Sequence, residues 1–113
     1  MRLPWRPRFG DVIERQLDLF TEQERPLLTE IQLAAAAYRQ TDAGEAEERY
    51  GEYMDLVEQA EEELLALRDR YAETMAARER LRYEREFTRA AERRLPSLSA
   101  RRAYERAIGG DLA

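Results

Sequence analysis

Residues 41–75 read TDAGEAEERYGEYMDLVEQAEEELLALRDRYAETM, and the reading of this stretch decides the fold. Thr41-Asp42-Ala43-Gly44 joins short polar side chains to a glycine, the composition of a tight turn, and Asp42 with Glu45 has the spacing of a capping box for the helix that follows. Beyond it, Tyr50, Tyr53, Val57, Ala60, Leu64, Leu67, Tyr71 and Thr74 recur at alternating steps of three and four. That period keeps one side of an α-helix apolar and predicts a long helix carrying a heptad seam.

A matching seam precedes the turn. Ile13, Leu17, Phe20, Glu24, Leu27, Ile31, Ala34 and Tyr38 follow the same alternation, with one charged lapse at Glu24 and Pro26 beside it. A proline inside a helix removes a hydrogen bond and clashes with the preceding turn, at a cost of about 3 kcal/mol. A kink or a fresh start is therefore expected over residues 21–26, with Thr21 and Glu24 spaced to cap it. Asp11 and Glu14 have the same spacing where the first helix is expected to begin, near Val12. Two seams of similar length joined by a short turn pack antiparallel.

No glycine, proline or asparagine occurs between Glu52 and Leu95, yet the apolar phase changes after Met75 to Leu81, Tyr83, Phe87, Ala91 and Leu95. This predicts a weak turn over residues 75–80 and a third helix to Leu95. Pro96 stops that helix, Ser97 or Ser99 can cap a short fourth one through Tyr104 and Ile108, and Gly109-Gly110 ends it before a loose tail. At the other end, MRLPWRPRFG reads as an extended arm, with Trp5 placed to cover an open end of the core or to meet a partner. The expected fold is all-α: an antiparallel helical hairpin within a three-helix bundle, with heptad seams and a short C-terminal helix. The arm is assigned to residues 1–10, one domain to 11–108 and the tail to 109–113.

With 113 residues, 43% of them hydrophobic, the chain can build one core. Charged residues make up 38% while glycines number five and prolines four, a balance that suits long solvated helices. The absence of cysteine and histidine removes disulfides, thiolate nucleophiles, the usual zinc sites and imidazole acid-base chemistry. Glutamates 45, 47, 48, 52, 58 and 61–63, with Asp55, read as a solvated helix face, since di-metal sites on helices add a Glu-x-x-His element. Glu24 is the one carboxylate on an apolar seam, where desolvation could raise its pKa, and Arg25 and Pro26 give that lapse a structural reason. There is no phosphate-cradling glycine loop and no G-x-S-x-G. A non-enzymatic protein without cofactor or metal is expected.

The net charge is −5, unevenly spread. Residues 41–75 hold three basic and twelve acidic side chains, whereas residues 76–113 hold ten and six. Every basic residue is arginine. Complementarity between these two segments within the chain is the simplest expectation. The arginines from Arg78 to Arg106 are interleaved with Tyr83 and Tyr104, as in surfaces that bind phosphate backbones and stack bases. Five glutamates dilute them and the acidic segment offers a nearer partner, which argues against nucleic acid. No run of 18 apolar residues is present, and no apolar stretch follows the basic N-terminus, so the expected location is cytoplasmic, with no membrane partner.

One segment stands apart. Gln16-Leu17-Asp18-Leu19-Phe20 resembles the bacterial sliding-clamp-binding motif, whose consensus is Gln, Leu, Ser or Asp, Leu and Phe. The match covers five of 113 residues, at all five positions. The resemblance implies that Gln16 would enter a small polar-lined pocket of the clamp and that Leu17, Leu19 and Phe20 would fill a greasy cleft. That motif docks in a largely extended form, whereas Leu17 and Phe20 also lie on the first helical seam. Docking would require the first turns to unwind and withdraw two core side chains, each worth about 1.5–3 kcal/mol of burial. The remainder resembles uncharacterised small helical bacterial proteins, a resemblance that implies no site. The sequence thus points to a protein acting through protein contacts, expected to self-associate as a coiled-coil homodimer. Tyr50, Tyr53, Val57, Leu64, Leu67 and Tyr71 are its core or interface, and the sliding clamp is the alternative partner.

Overall fold

The proline beside the charged lapse divides the first seam. In the computed structural model, which describes residues 8–112, five helices follow one another: α1 (Gly10–Gln23), α2 (Arg25–Gln40), α3 (Ala46–Ala72), α4 (Ala77–Arg94) and α5 (Ala100–Leu112). Among the described residues there is no strand, and the fold is all-α. Pro26 occupies the first turn of α2, where its missing amide interrupts no hydrogen bond. Glu24 is the junction: its N–H donates to the Phe20 carbonyl at 2.9 Å, and its own carbonyl accepts from the Leu28 N–H at 2.9 Å. Thr21 does not cap α2. Its hydroxyl donates back to the Leu17 carbonyl at 2.8 Å, because a threonine inside a running helix has that oxygen within reach.

The first helix begins at Gly10, ahead of Val12, and Asp11 lies within its first turn instead of capping it. Tertiary contacts hold this end. The Phe9 N–H donates to Glu86 Oε1 at 2.9 Å, and the Phe9 ring meets Tyr83 edge-on at 5.5 Å. The expected roles of Trp5 and of residues 1–7 lie outside the described residues.

The other boundaries have local causes. Asp42 Oδ1 accepts from the N–H groups of Gly44 at 3.0 Å and Glu45 at 3.2 Å, closing the turn before α3. Residues 73–76, slightly earlier than expected, separate α3 from α4. There the Thr74 hydroxyl donates to the Tyr71 carbonyl at 2.7 Å and the Met75 N–H to the Ala72 carbonyl at 3.0 Å, so Thr74 leaves the seam. Ser99 caps α5, its Oγ accepting from the Arg102 N–H at 3.1 Å. Gly109 and Gly110 do not end α5, which continues to Leu112; no described glycine adopts the positive φ through which glycine usually stops a helix.

The core gathers Ile13, Leu17 and Phe20 of α1, Leu27 and Ile31 of α2, Val57 and Leu64 of α3, and Tyr83 and Phe87 of α4, with Leu98 and Ala100 closing one side. Tyr83 lies at its centre, 5.0 Å from Tyr71 and 5.9 Å from Phe87 between ring centres. Its hydroxyl donates to Gln16 Oε1 at 2.7 Å. Burial in α2 stops at Ile31 and in α3 starts at Val57, so residues 32–56 form a two-helix arm that leaves the core, with Tyr53 and Leu56 packed against the core at its base. The molecule measures 58 × 39 × 24 Å, and its radius of gyration of 16.6 Å exceeds the roughly 13 Å of a compact chain of this length.

Burial pushes the Tyr83 phenol well above its usual pKa. Below about pH 10 the phenol is neutral in both states and its contribution is complete; above about pH 10 the unfolded chain releases a proton that the folded chain keeps, so stability falls as pH rises. With no lysine, cysteine or histidine in the chain, tyrosines are the side chains that titrate in this range. Unfolding free energies from urea titrations across this range should fall above pH 10 by about 1.4 kcal/mol per pH unit, and Tyr83→Phe should flatten that slope.

Candidate functional site

The candidate site is a cleft between α4 and α5, and it exists because a carboxylate holds α5 in place. Glu61, on α3, has no solvent access. Its Oε2 accepts from the Ser99 N–H at 2.8 Å and from Arg102 Nε at 3.1 Å and Nη2 at 2.6 Å, while Oε1 accepts from Arg106 Nη1 at 2.8 Å. Charge-assisted bonds of this number satisfy a buried carboxylate that would otherwise be costly to desolvate. This corrects the reading of Glu61 as part of a solvated face. Arg102 and Arg106, one helical turn apart, were the available signal, but only the docked position of α5 brings them to Glu61. Glu24, singled out as the carboxylate on the seam, is half-buried at the α1–α2 junction.

The cleft has a volume of about 720 Å³. Leu81, Arg85 and Arg89 stand at four-residue steps along the α4 wall, and Arg101 and Tyr104 at a three-residue step along the α5 wall. Arg68 of α3 forms the floor. It donates from Nε to Asp69 Oδ1 at 3.0 Å and from Nη1 to Thr88 Oγ1 at 3.4 Å, and its guanidinium carbon lies 6.0 Å from the Tyr104 ring centre, a cation–π distance. Arg80 reaches Glu84 at 3.8 Å, and Arg101 reaches Glu92 at 3.6 Å. Among the described residues, Arg85 and Arg89 make no ion pair. Leu81 is 62% exposed and Tyr104 49% exposed. The walls thus offer fixed positive charge beside apolar surface, chemistry suited to carboxylates or phosphates carried on a partly apolar body. Among the described residues, no three histidine, cysteine, aspartate or glutamate side chains converge as a metal site would require.

Intrachain charge complementarity is incomplete. Glu61 and Glu84 meet arginines, but in the arm half of α3 the ion pair is a local one, Arg49 to Glu52 at 3.2 Å. The expected interface residues are likewise divided. Val57 and Leu64 are buried in the core, Tyr53, Leu67 and Tyr71 pack against it half-buried, and Tyr50, 48% exposed, stands on the arm. There its ring lies 5.3 Å from Tyr38 and 6.4 Å from Tyr53.

The chain matches no protein-family model, no curated protein and no solved structure. No helix among the described residues is long and apolar enough to cross a membrane. The pentapeptide lies wholly within α1: Leu17 and Phe20 are core residues, Gln16 is bound to Tyr83, Asp18 pairs with Arg94 at 2.7 Å, and Leu19 is 50% exposed.

Since Glu61 anchors α5 and α5 supplies one wall, Glu61→Ala should lower stability by about 1.5–3 kcal/mol in urea titrations, the range for hydrogen bonds to a charged group. Tryptic cleavage after Arg101 and Arg102 should accelerate in the same variant.

Proposed function

We propose that this chain is a non-enzymatic, cytoplasmic protein that works through protein contacts and associates with copies of itself through the arm formed by residues 32–56. One observation carries the reading: every residue from Gln32 to Leu56 is exposed or only half-buried. Two helices side by side cover only the faces they turn to each other, whereas an amphipathic helix in a stable domain usually buries its apolar stripe against further elements. On this arm Leu33 remains 65% exposed, and Tyr38 and Tyr50 remain exposed beside each other. Exposed aromatic and aliphatic side chains gathered on a protrusion are the composition of a contact surface. A second copy covering them by helix-on-helix packing of the coiled-coil kind supplies the missing layer.

A second reading, docking on a sliding clamp through Gln16–Phe20, draws on the exposure of Asp18 and Leu19 and on the junction at Glu24 that bounds α1. It requires Leu17 and Phe20 to leave the core and Gln16 to release Tyr83.

Sedimentation equilibrium at low salt should show reversible self-association of the full chain in the micromolar range, and Leu33→Glu combined with Tyr50→Glu should leave a helical monomer. A wild-type chain that stays monomeric removes the reading. Calorimetry against the sliding clamp of the same organism addresses the second one: binding that disappears in a Gln16→Ala variant still helical by circular dichroism supports it, and absence of heat at two well-separated temperatures excludes it.

A further inference from the structure

We infer that the cleft between α4 and α5 is the seat for the acidic arm of a second copy of this chain, an inference that rests on the self-association proposed above. The argument starts from charge. From Asp42 to Leu56 the arm holds six acids against one arginine, and Glu45, Glu48, Glu52 and Asp55, at steps of three, four and three, share one face of α3. Two such arms meeting on these faces would place like charges together, which disfavours that pairing. The cleft offers the opposite sign, with Arg85 and Arg89 making no ion pair among the described residues.

The arm cannot satisfy its own cleft. The third helix is continuous from Ala46 to Ala72, and α5 is pinned to it at Glu61, so the acidic half points away from the head instead of folding back on it. The complementary surfaces of one molecule are held apart, and only different copies can bring them together.

A glycine adds an independent observation. Gly51 lies within α3 between Glu48 and Asp55 on the acidic face, and a Cβ added there would meet nothing within 4 Å. Glycine inside a helix is less favourable than alanine, and nothing in this chain's own packing requires a glycine there. A gap at that position lets a partner side chain, such as the exposed Tyr104 or Leu81, approach the arm closely. Because arm and cleft are different surfaces, the contact is made either reciprocally across a two-fold axis, which closes a dimer, or head-to-tail, which closes a ring or extends.

The test uses charge exchange at exposed positions. Arg85→Glu with Arg89→Glu should weaken self-association by about tenfold or more while leaving helicity intact, and Glu48→Arg with Asp55→Arg should do the same. Mixing the two variants, which restores opposite charges across the contact, should restore association, and wild-type association should weaken as salt rises toward about 0.5 M. Association that is unchanged in the cleft variant but lost in Leu33→Glu with Tyr50→Glu overturns the cleft as the seat and leaves the self-association reading standing. Failure of every chain to associate, wild type included, overturns both. If fluorescent DNA binds the wild type and loses affinity in the cleft variant while self-association is unaffected, the cleft is a nucleic-acid surface and the inference falls.

Discussion

A single buried carboxylate organises the half of the molecule that holds the α4–α5 cleft. Removing the charge of Glu61 from water is unfavourable unless donors surround it, and the donors come from a segment some forty residues further along the chain, Ser99, Arg102 and Arg106. The bond set is therefore also a positional constraint. It lays α5 along α3 and places Tyr104 across from Leu81, and the cleft is the space left between α5 and α4. Otherwise α5 and its lead-in contribute Leu98, Ala100 and Ala103 to the buried set, two of them small, so hydrophobic anchorage alone is thin.

The second constraint is a mismatch of lengths. At 27 residues α3 spans about 40 Å, and its buried residues begin only at Val57. The break at Glu24 and Pro26 makes this architecture workable. It frees α1 to lie against α4 while α2 follows α3 outward, so one sequence seam serves both the head and the arm. An uninterrupted first helix would carry Ile13, Leu17 and Phe20 along the line of α2 and away from Tyr83.

Much of this was legible in the sequence. Helical periodicity located Ile13, Leu17, Phe20, Leu27, Ile31, Val57, Ala60 and Leu64, all of them buried, and turn chemistry located the hairpin at Asp42 and Gly44. The proline located the split. What periodicity could not show is where a seam loses its cover: Tyr38 and Tyr50 continue the pattern as faithfully as Leu64, but no further helix reaches them. Glu61 and Arg68 were hidden for the complementary reason. Charged residues on a helix read as solvated until a distant element brings the opposite charge, and that docking is not a local property. The cleft depends on the same docking, so its residues appeared in sequence as a run of arginines with Tyr104 interleaved and as Leu81 on the expected α4 seam, where it is instead exposed.

The walls of the cleft carry their positive charge entirely on guanidinium groups, and the whole chain contains no lysine. Guanidinium stays protonated throughout the biological pH range. Acetylation, which cancels a positive charge, acts on lysine side chains, and methylation of arginine removes hydrogen-bond donors without removing the charge. The guanidinium charge of these walls is therefore beyond the reach of enzymes that rewrite lysines. A contact built on it is governed by ionic strength and copy number.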